Sequence, residues 1–247
     1  MNLLDSLFGK RRGLAGLDAS LRAPIERWRA IDPVDLRGPL SAQRWLVVDV
    51  ETTGLDVRND RLLAIGAVLV EGTTIRFDQS FEVVIRQSTA SRSDNILIHR
   101  ISGSEQMEGV DAATALVGFL EFSKKLPCAA FHAAFDESML KRSIAEHLDI
   151  DFSPQFIDLA LLAPALVRDA PASLRSLDDW VAHFSVTISA RHRAVADAVG
   201  TAQLFQVLLS LAAAQEYPSA AALFKLAHEH GWLAKLNRKS GQQPGSG

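Results

Sequence analysis

The chain has 247 residues, 48% of them hydrophobic and 22% charged, with a formal net charge of -3, enough length for one α/β domain with extensions. The mild acidity excludes a broad, non-specific grip on duplex nucleic acid while leaving room for a local groove. A single cysteine, Cys128, excludes an internal disulfide framework and a cysteine zinc site, and fits a reducing cytoplasm.

The opening MNLLDSLFGKRRGL spaces Leu3, Leu4, Leu7 and Phe8 as a helix would, then runs into Lys10, Arg11 and Arg12. A secretory signal has the reverse order. The segment is read either as a stretch packed on the main body or as an amphipathic helix that docks on a partner or a membrane. Residues 1–41, broken by Pro24, Pro33 and Pro39, form an N-terminal extension; a main domain is expected over 42–212, and a C-terminal helix and tail over 213–247. The terminal GQQPGSG has the composition of a disordered tail. The longest apolar run, Leu159 to Val167, contains Pro164 and falls far short of the about 20 residues of a membrane span. No transmembrane segment and a cytoplasmic location are therefore expected.

Trp45-Leu46-Val47-Val48 has the unbroken apolar character of a strand covered on both faces. RLLAIGAVLV (61–70) predicts a second strand, closed by Glu71-Gly72. Apolar Ile75, Phe77, Phe81, Val83 and Ile85 fall on odd positions among mostly polar even ones, which predicts a half-buried strand antiparallel to its neighbour. Asp111 caps an expected helix carrying Leu116, Val117, Phe119 and Leu120. A short strand around Pro127–Phe131 feeds a helix running through Leu148, and Gln155–Asp158 offers another strand. Ser173 is placed to cap a helix with Leu174, Leu177, Val181 and Phe184 on one face; a long helix is expected from about Ala194 to Ala212. Within it, Gln203-Leu204-Phe205 is read as core. The alternation predicts an α/β fold, a mixed sheet with helices on both faces.

The first strand does not end as a core strand should. VVDVETTGLD (47–56) puts Asp49 and Glu51 in it, and strand alternation points both to the same face. Asp136 aligns at helical spacing with Leu140 and Ile144, and Asp197 with Ala194, Thr201, Leu204 and Leu208, so both helices present an acid toward the sheet. Each aspartate alone would pass for a surface residue. Taken with the strand pair they predict a cluster of four carboxylates. Such a cluster stays ionised only beside cations, and oxygen-only donors suit Mg²⁺ or Mn²⁺. Two divalent cations about 4 Å apart suit in-line phosphoryl displacement, so phosphodiester hydrolysis is the expected chemistry. His192, just ahead of the long helix, is the candidate general base, having an unperturbed pKa near working pH.

Three motifs in order, VVDVETTGLD, FHAAFDESML and RHRAVADA, resemble those of the DEDDh exonucleases, the family of the polymerase III epsilon proofreading subunit, ribonuclease T and oligoribonuclease. The resemblance covers about residues 43–212 and implies a ribonuclease H-like fold with Asp49, Glu51, Asp136, Asp197 and His192 as the catalytic set. It implies two metal ions bridged by Asp49, with Glu51 and Asp197 completing one site and Asp136 serving the other through water. Nucleoside 5′-monophosphates would leave from the 3′ end. Thr52, Thr53 and Gly54 match the turn that approaches the terminal nucleotide; Leu55 is either an apolar wedge between the last bases or a core leucine. Two positions depart from the family. His132 replaces the usual Asn four residues before Asp136, to touch substrate or the metal shell from the first helical turn or to pack as an ordinary histidine. Arg100 follows His99 where Gly is common; His99 is counted among the substrate contacts, and Arg100 is either a phosphate contact or a solvated side chain. Asp158 matches a common structural position. The expected function is a 3′-5′ exonuclease on single-stranded ends, DNA before RNA, in repair or epsilon-like proofreading, with a DNA polymerase as an expected partner. The alternatives are an RNA-processing exonuclease and a non-catalytic polymerase-accessory module.

Overall fold

A computed structural model describes residues 16–186 and 193–240, apart from the side chains of residues 93, 98 and 234–240. The basic-apolar start, His192 and the GQQPGSG tail lie outside the described residues.

Five strands form one mixed sheet in the order β3-β2-β1-β4-β5. β1 (Arg44–Thr52), β2 (Leu62–Glu71) and β3 (Thr74–Val84) make an antiparallel meander. β4 (Cys128–Ala130) and β5 (Phe156–Asp158) extend it in parallel on the other side of β1. The alternation of β1 divides two cores. Leu46, Val48 and Val50 join one core with α1 (Ala19–Arg29), α4 (Ala112–Ser123) and α5 (Ala134–Leu148). Trp45 and Val47 join the other with α6 (Leu159–Leu166), α8 (Ala194–Ala214) and α9 (Ala220–Ser240). Between them in sequence lie α2 (Ser93–His99), α3 (Gly103–Glu108) and α7 (Leu177–His183).

α4 starts where expected, with the Asp111 carboxylate accepting from Thr114 N at 3.3 Å. α7 does not. Its cap is Ser176 rather than Ser173, because Ser176 and Asp179 form a capping box that satisfies two amide donors reciprocally. β3 also departs from a single alternating strand. Its pairing to β2 jumps from Val68↔Ser80 to Leu69↔Arg76. The extra residues turn Ile75 into one core and Phe81 and Val83 into the other, and leave Phe77 exposed.

The terminal segments belong to the same two cores. Ile25 and Trp28 of α1 are buried in the first, Leu223 and Ala227 of α9 in the second. α8 is long and apolar enough by composition to cross a membrane. In this fold it lies across β1 and β2, with Leu204, Phe205 and Leu208 fully buried.

Candidate active site

The row of side chains that begins with Trp45 and Val47 continues as Asp49 and Glu51, so the second core stops and an acidic face begins on the same side of β1. β4 is short: it pairs only Leu46 and Val47 of β1. Beyond it the edge of β1 is open, and the Asp136 carboxylate fills the gap by accepting the Val50 amide at 3.1 Å. The site thus forms at the carboxyl ends of the parallel strands, where α/β sheets commonly open.

The fourth acid arrives on α8. Gly66 of β2 pairs with Asp49, and the start of α8 lies directly upon it: a Cβ there would stand 1.9 Å from the Ala194 carbonyl carbon. The absent side chain lets the helix come close enough to place Asp197, in its first turn, over β1. Arg193, the preceding residue, reaches the Glu82 carboxylate of β3 at 3.3 Å and ties the helix start to the sheet. Asp136 and Asp197 both occupy first helical turns, where the amide dipoles favour negative charge.

Ligand oxygens of Asp49, Glu51 and Asp197 all lie within 4.8 Å of one another. Burial, then the charges of Asp197 and Asp136, push the Glu51 carboxyl up to about 8. Burial likewise pushes Asp136, only 7% exposed, up to about 7, with neighbouring Asp158 adding to the rise. Buried and half-buried carboxylates driven this far toward neutrality are what a hard divalent cation would relieve, and an all-oxygen donor set fits Mg²⁺ or Mn²⁺. Asp49, Glu51 and Asp197 form the compact part of that set; Asp136 joins it through the backbone of β1.

The turn after β1 is built to hold one shape. Thr52 Oγ1 donates to Gly54 O at 2.7 Å. Thr53 Oγ1 donates to Asp60 at 2.8 Å and accepts from the Arg61 amide at 2.9 Å. The other Asp60 oxygen accepts the Asp56 amide at 2.8 Å. A Cβ on Gly54 would lie 2.5 Å from that carboxylate, which is why glycine stands there. Leu55 at the tip is 86% exposed, so the core-leucine alternative is excluded. Asn95 of α2 donates its amide to Thr53 O and holds the turn from the outside. Asp60, Asn95 and Gly66 are absent from the sequence-derived site; only the glycine inside a buried strand pattern gave a legible signal.

Two histidines depart from expectation. His99 is 2% exposed, and both ring nitrogens are engaged, with Ser91 Oγ at 3.1 Å and the Ile101 amide at 3.1 Å. In place of the expected substrate contact, it fastens the segment around α2, and burial lowers its pKa. His132 is exposed but precedes α5 in a left-handed conformation (φ 61°), rather than lying on the first helical turn opposite Asp136. Its amide donates to Asp158 at 2.9 Å, and Asp158 also caps α6, the structural part expected of it. Left-handed backbone is tolerated best, after glycine, by Asn, Asp and His, so His132 preserves what the usual Asn would supply. Arg100 takes a left-handed φ of 53° as the cap of α2, which accounts for the glycine common at that position.

An exonuclease family model (RNase_T) matches residues 46–205. A PolC-type DNA polymerase III of Caldanaerobacter subterraneus subsp. tengcongensis is 32% identical over 168 residues, 67% of this chain and 11% of that protein. A DNA polymerase III subunit epsilon-like protein of Rhodobacter capsulatus is 29% identical over 203 residues, 80% of this chain and 28% of that one. The chain therefore spans between a tenth and three tenths of these relatives' length. In fold it is similar to the nuclease domain of 3′hExo, a DEDDh family member, bound to rAMP, with a TM-score of 0.60 at 13% identity over 68% of this chain and 92% of that one. With its match running from the strand that carries the paired acids into the helix that brings Asp197 to them, the chain belongs to the exonuclease family that this model describes.

Proposed function

We propose that the chain hydrolyses the terminal phosphodiester at single-stranded 3′ ends, DNA before RNA, releasing nucleoside 5′-monophosphates one at a time. The observation that carries this reading is the convergence of Asp49, Glu51 and Asp197 within 4.8 Å at the open end of β1, with Asp136 fixed beside them. These four residues would hold two divalent cations, Mg²⁺ or Mn²⁺. When bound, such cations polarise the scissile phosphate and acidify an attacking water. His192 would accept that water's proton on a ring nitrogen. The Thr52-Thr53-Gly54 backbone would seat the terminal nucleotide, and exposed Leu55 would wedge against its base. His132, exposed at the mouth of α5, would meet the strand beside it.

DNA is favoured because both relatives above are DNA polymerase III proteins; by the same likeness a polymerase is the proposed partner and the cytoplasm the proposed location. The test is a matched pair of 5′-labelled single strands, one DNA and one RNA, incubated with Mn²⁺ and wild type or Asp197→Ala. A ladder on DNA that the substitution abolishes supports the reading. A ladder mainly on RNA moves the enzyme to RNA processing, and no shortening of either strand leaves a non-catalytic accessory module.

A further inference from the structure

α9 climbs from the foot of the sheet to its head. Its first residues lie at the foot: the Ala221 amide donates to Leu36 O at 2.8 Å, and Ser219 bridges to Pro39. Phe224 packs on Trp45, near the start of β1, at 5.7 Å between rings. Seven residues later, Gly231 meets Leu161 in the first turn of α6, where a Cβ would stand 3.0 Å from the leucine. α6 begins at Asp158, the last residue of β5 and the partner of His132. Cys128 and Phe156 are level with Leu46, so Asp49 and Glu51 stand roughly 3 and 10 Å above Asp158 along β1. The residues of α9 after Gly231 carry the helix on by about 13 Å. Its end therefore rises to the height of the acids, on the β5 side of the sheet.

Trp232 and Leu233, directly after Gly231, are 58% and 51% exposed, while Trp28, Trp45 and Trp180 are buried. The rest of the helix, LAKLNRKS by sequence, contributes Lys235, Arg238 and Lys239 and no acid, in a chain whose net charge is -3. An exposed indole followed in sequence by basic residues is a combination that holds single strands, by stacking bases and pairing phosphates. A polyanion, rather than an apolar protein surface, complements this end of the helix.

We propose that the C-terminal end of α9, centred on Trp232, is a second contact for the substrate strand, holding nucleotides 5′ of the one being removed. This rests on the nuclease reading above. The test measures KM and kcat of the full chain in Mn²⁺ on a DNA strand of about 15 nucleotides, long enough to reach past the site, and on the 4-nitrophenyl ester of thymidine 5′-monophosphate, which is not. Trp232→Ala should raise KM for the strand about five- to fiftyfold and leave both constants for the ester unchanged. Trp232→Phe should restore most of the loss, and Lys235→Glu with Arg238→Glu should raise strand KM independently. Unchanged strand KM in all variants, or an equal loss on both substrates, overturns the proposal; the first result with activity retained gives the patch to a protein partner. A wild type inert on both substrates fails the nuclease reading itself.

Discussion

Burial and the charges of Asp197 and Asp136 push Glu51 from an ordinary 4.5 up to about 8, so the cation-free folded chain holds a proton that the unfolded chain releases. Asp136, pushed up to about 7, acts in the same direction. The contribution of these two groups to stability is therefore fullest below the ordinary carboxyl range and is lost as pH rises toward 8. Melting of the cation-free protein should drop between about pH 5.5 and pH 8.5, and Glu51→Gln should flatten that slope. Because a cation must displace these protons, added Mn²⁺ should raise the melting temperature more at about pH 8.5 than at about pH 5.5; the opposite order would sink the assignment. Removing one of the set costs more than stability: Asp197→Ala should lower kcat about 100-fold or more, the loss typical of a deleted charge-stabilising group. At Arg100 the left-handed φ of 53° strains any side chain, so Arg100→Gly should stabilise by about 1 kcal/mol, read as a higher melting temperature. The four acids were legible only together, the two helix-borne aspartates gaining meaning from the strand pair. The strain at Arg100 and the internal engagement of His99 were not, since backbone angles and ring partners depend on neighbours distant in sequence.

The elements succeed where one physical signal dominates. β1, β2, α4, α5 and α8 follow apolar runs or helical spacing to within a few residues of their observed ends. α7 is capped three residues after the serine expected to cap it, because two serines compete and only Ser176 has an acid at the third following position. β3 carries one apolar alternation through a bulge that reverses its faces, a change the alternation cannot register. Gly66 is the element-scale determinant of the site, since it sets how closely α8 approaches β1. Gly66→Ala should force the helix start outward, costing about 2 kcal/mol of stability as overpacking does, and should lower activity by more than about tenfold through displacement of Asp197. Circular dichroism melts and kcat measure the two effects; a stable, fully active variant would show that α8 tolerates a wider separation.

At the scale of the whole molecule, the two cores draw on segments from both ends of the chain. α1 buries Ile25 and Trp28 against α4, and α9 buries Leu223 and Ala227 beside Trp45 and α6. Burying each large apolar side chain contributes about 2 kcal/mol, and a domain's net stability is only about 5–15 kcal/mol. A chain cut to residues 42–212, the stretch the family motifs mark out, should therefore lose its cooperative thermal transition while the full chain keeps it. The motif-bearing segment reveals the chemistry because catalytic residues must keep type and order. It does not reveal the folding unit, whose limits follow apolar surface that any of several side chains can cover. The sequence by itself determined the α/β class, the strand-borne acid pair and the two helix-borne aspartates, because side-chain periodicity is a local property of strand and helix. Only the tertiary structure decided how closely α8 lies on Gly66, that Asp136 caps the open edge of β1, that Leu55 stands free at its turn and that α9 packs its Gly231 on α6, because each of these depends on backbone brought together from far apart in the chain.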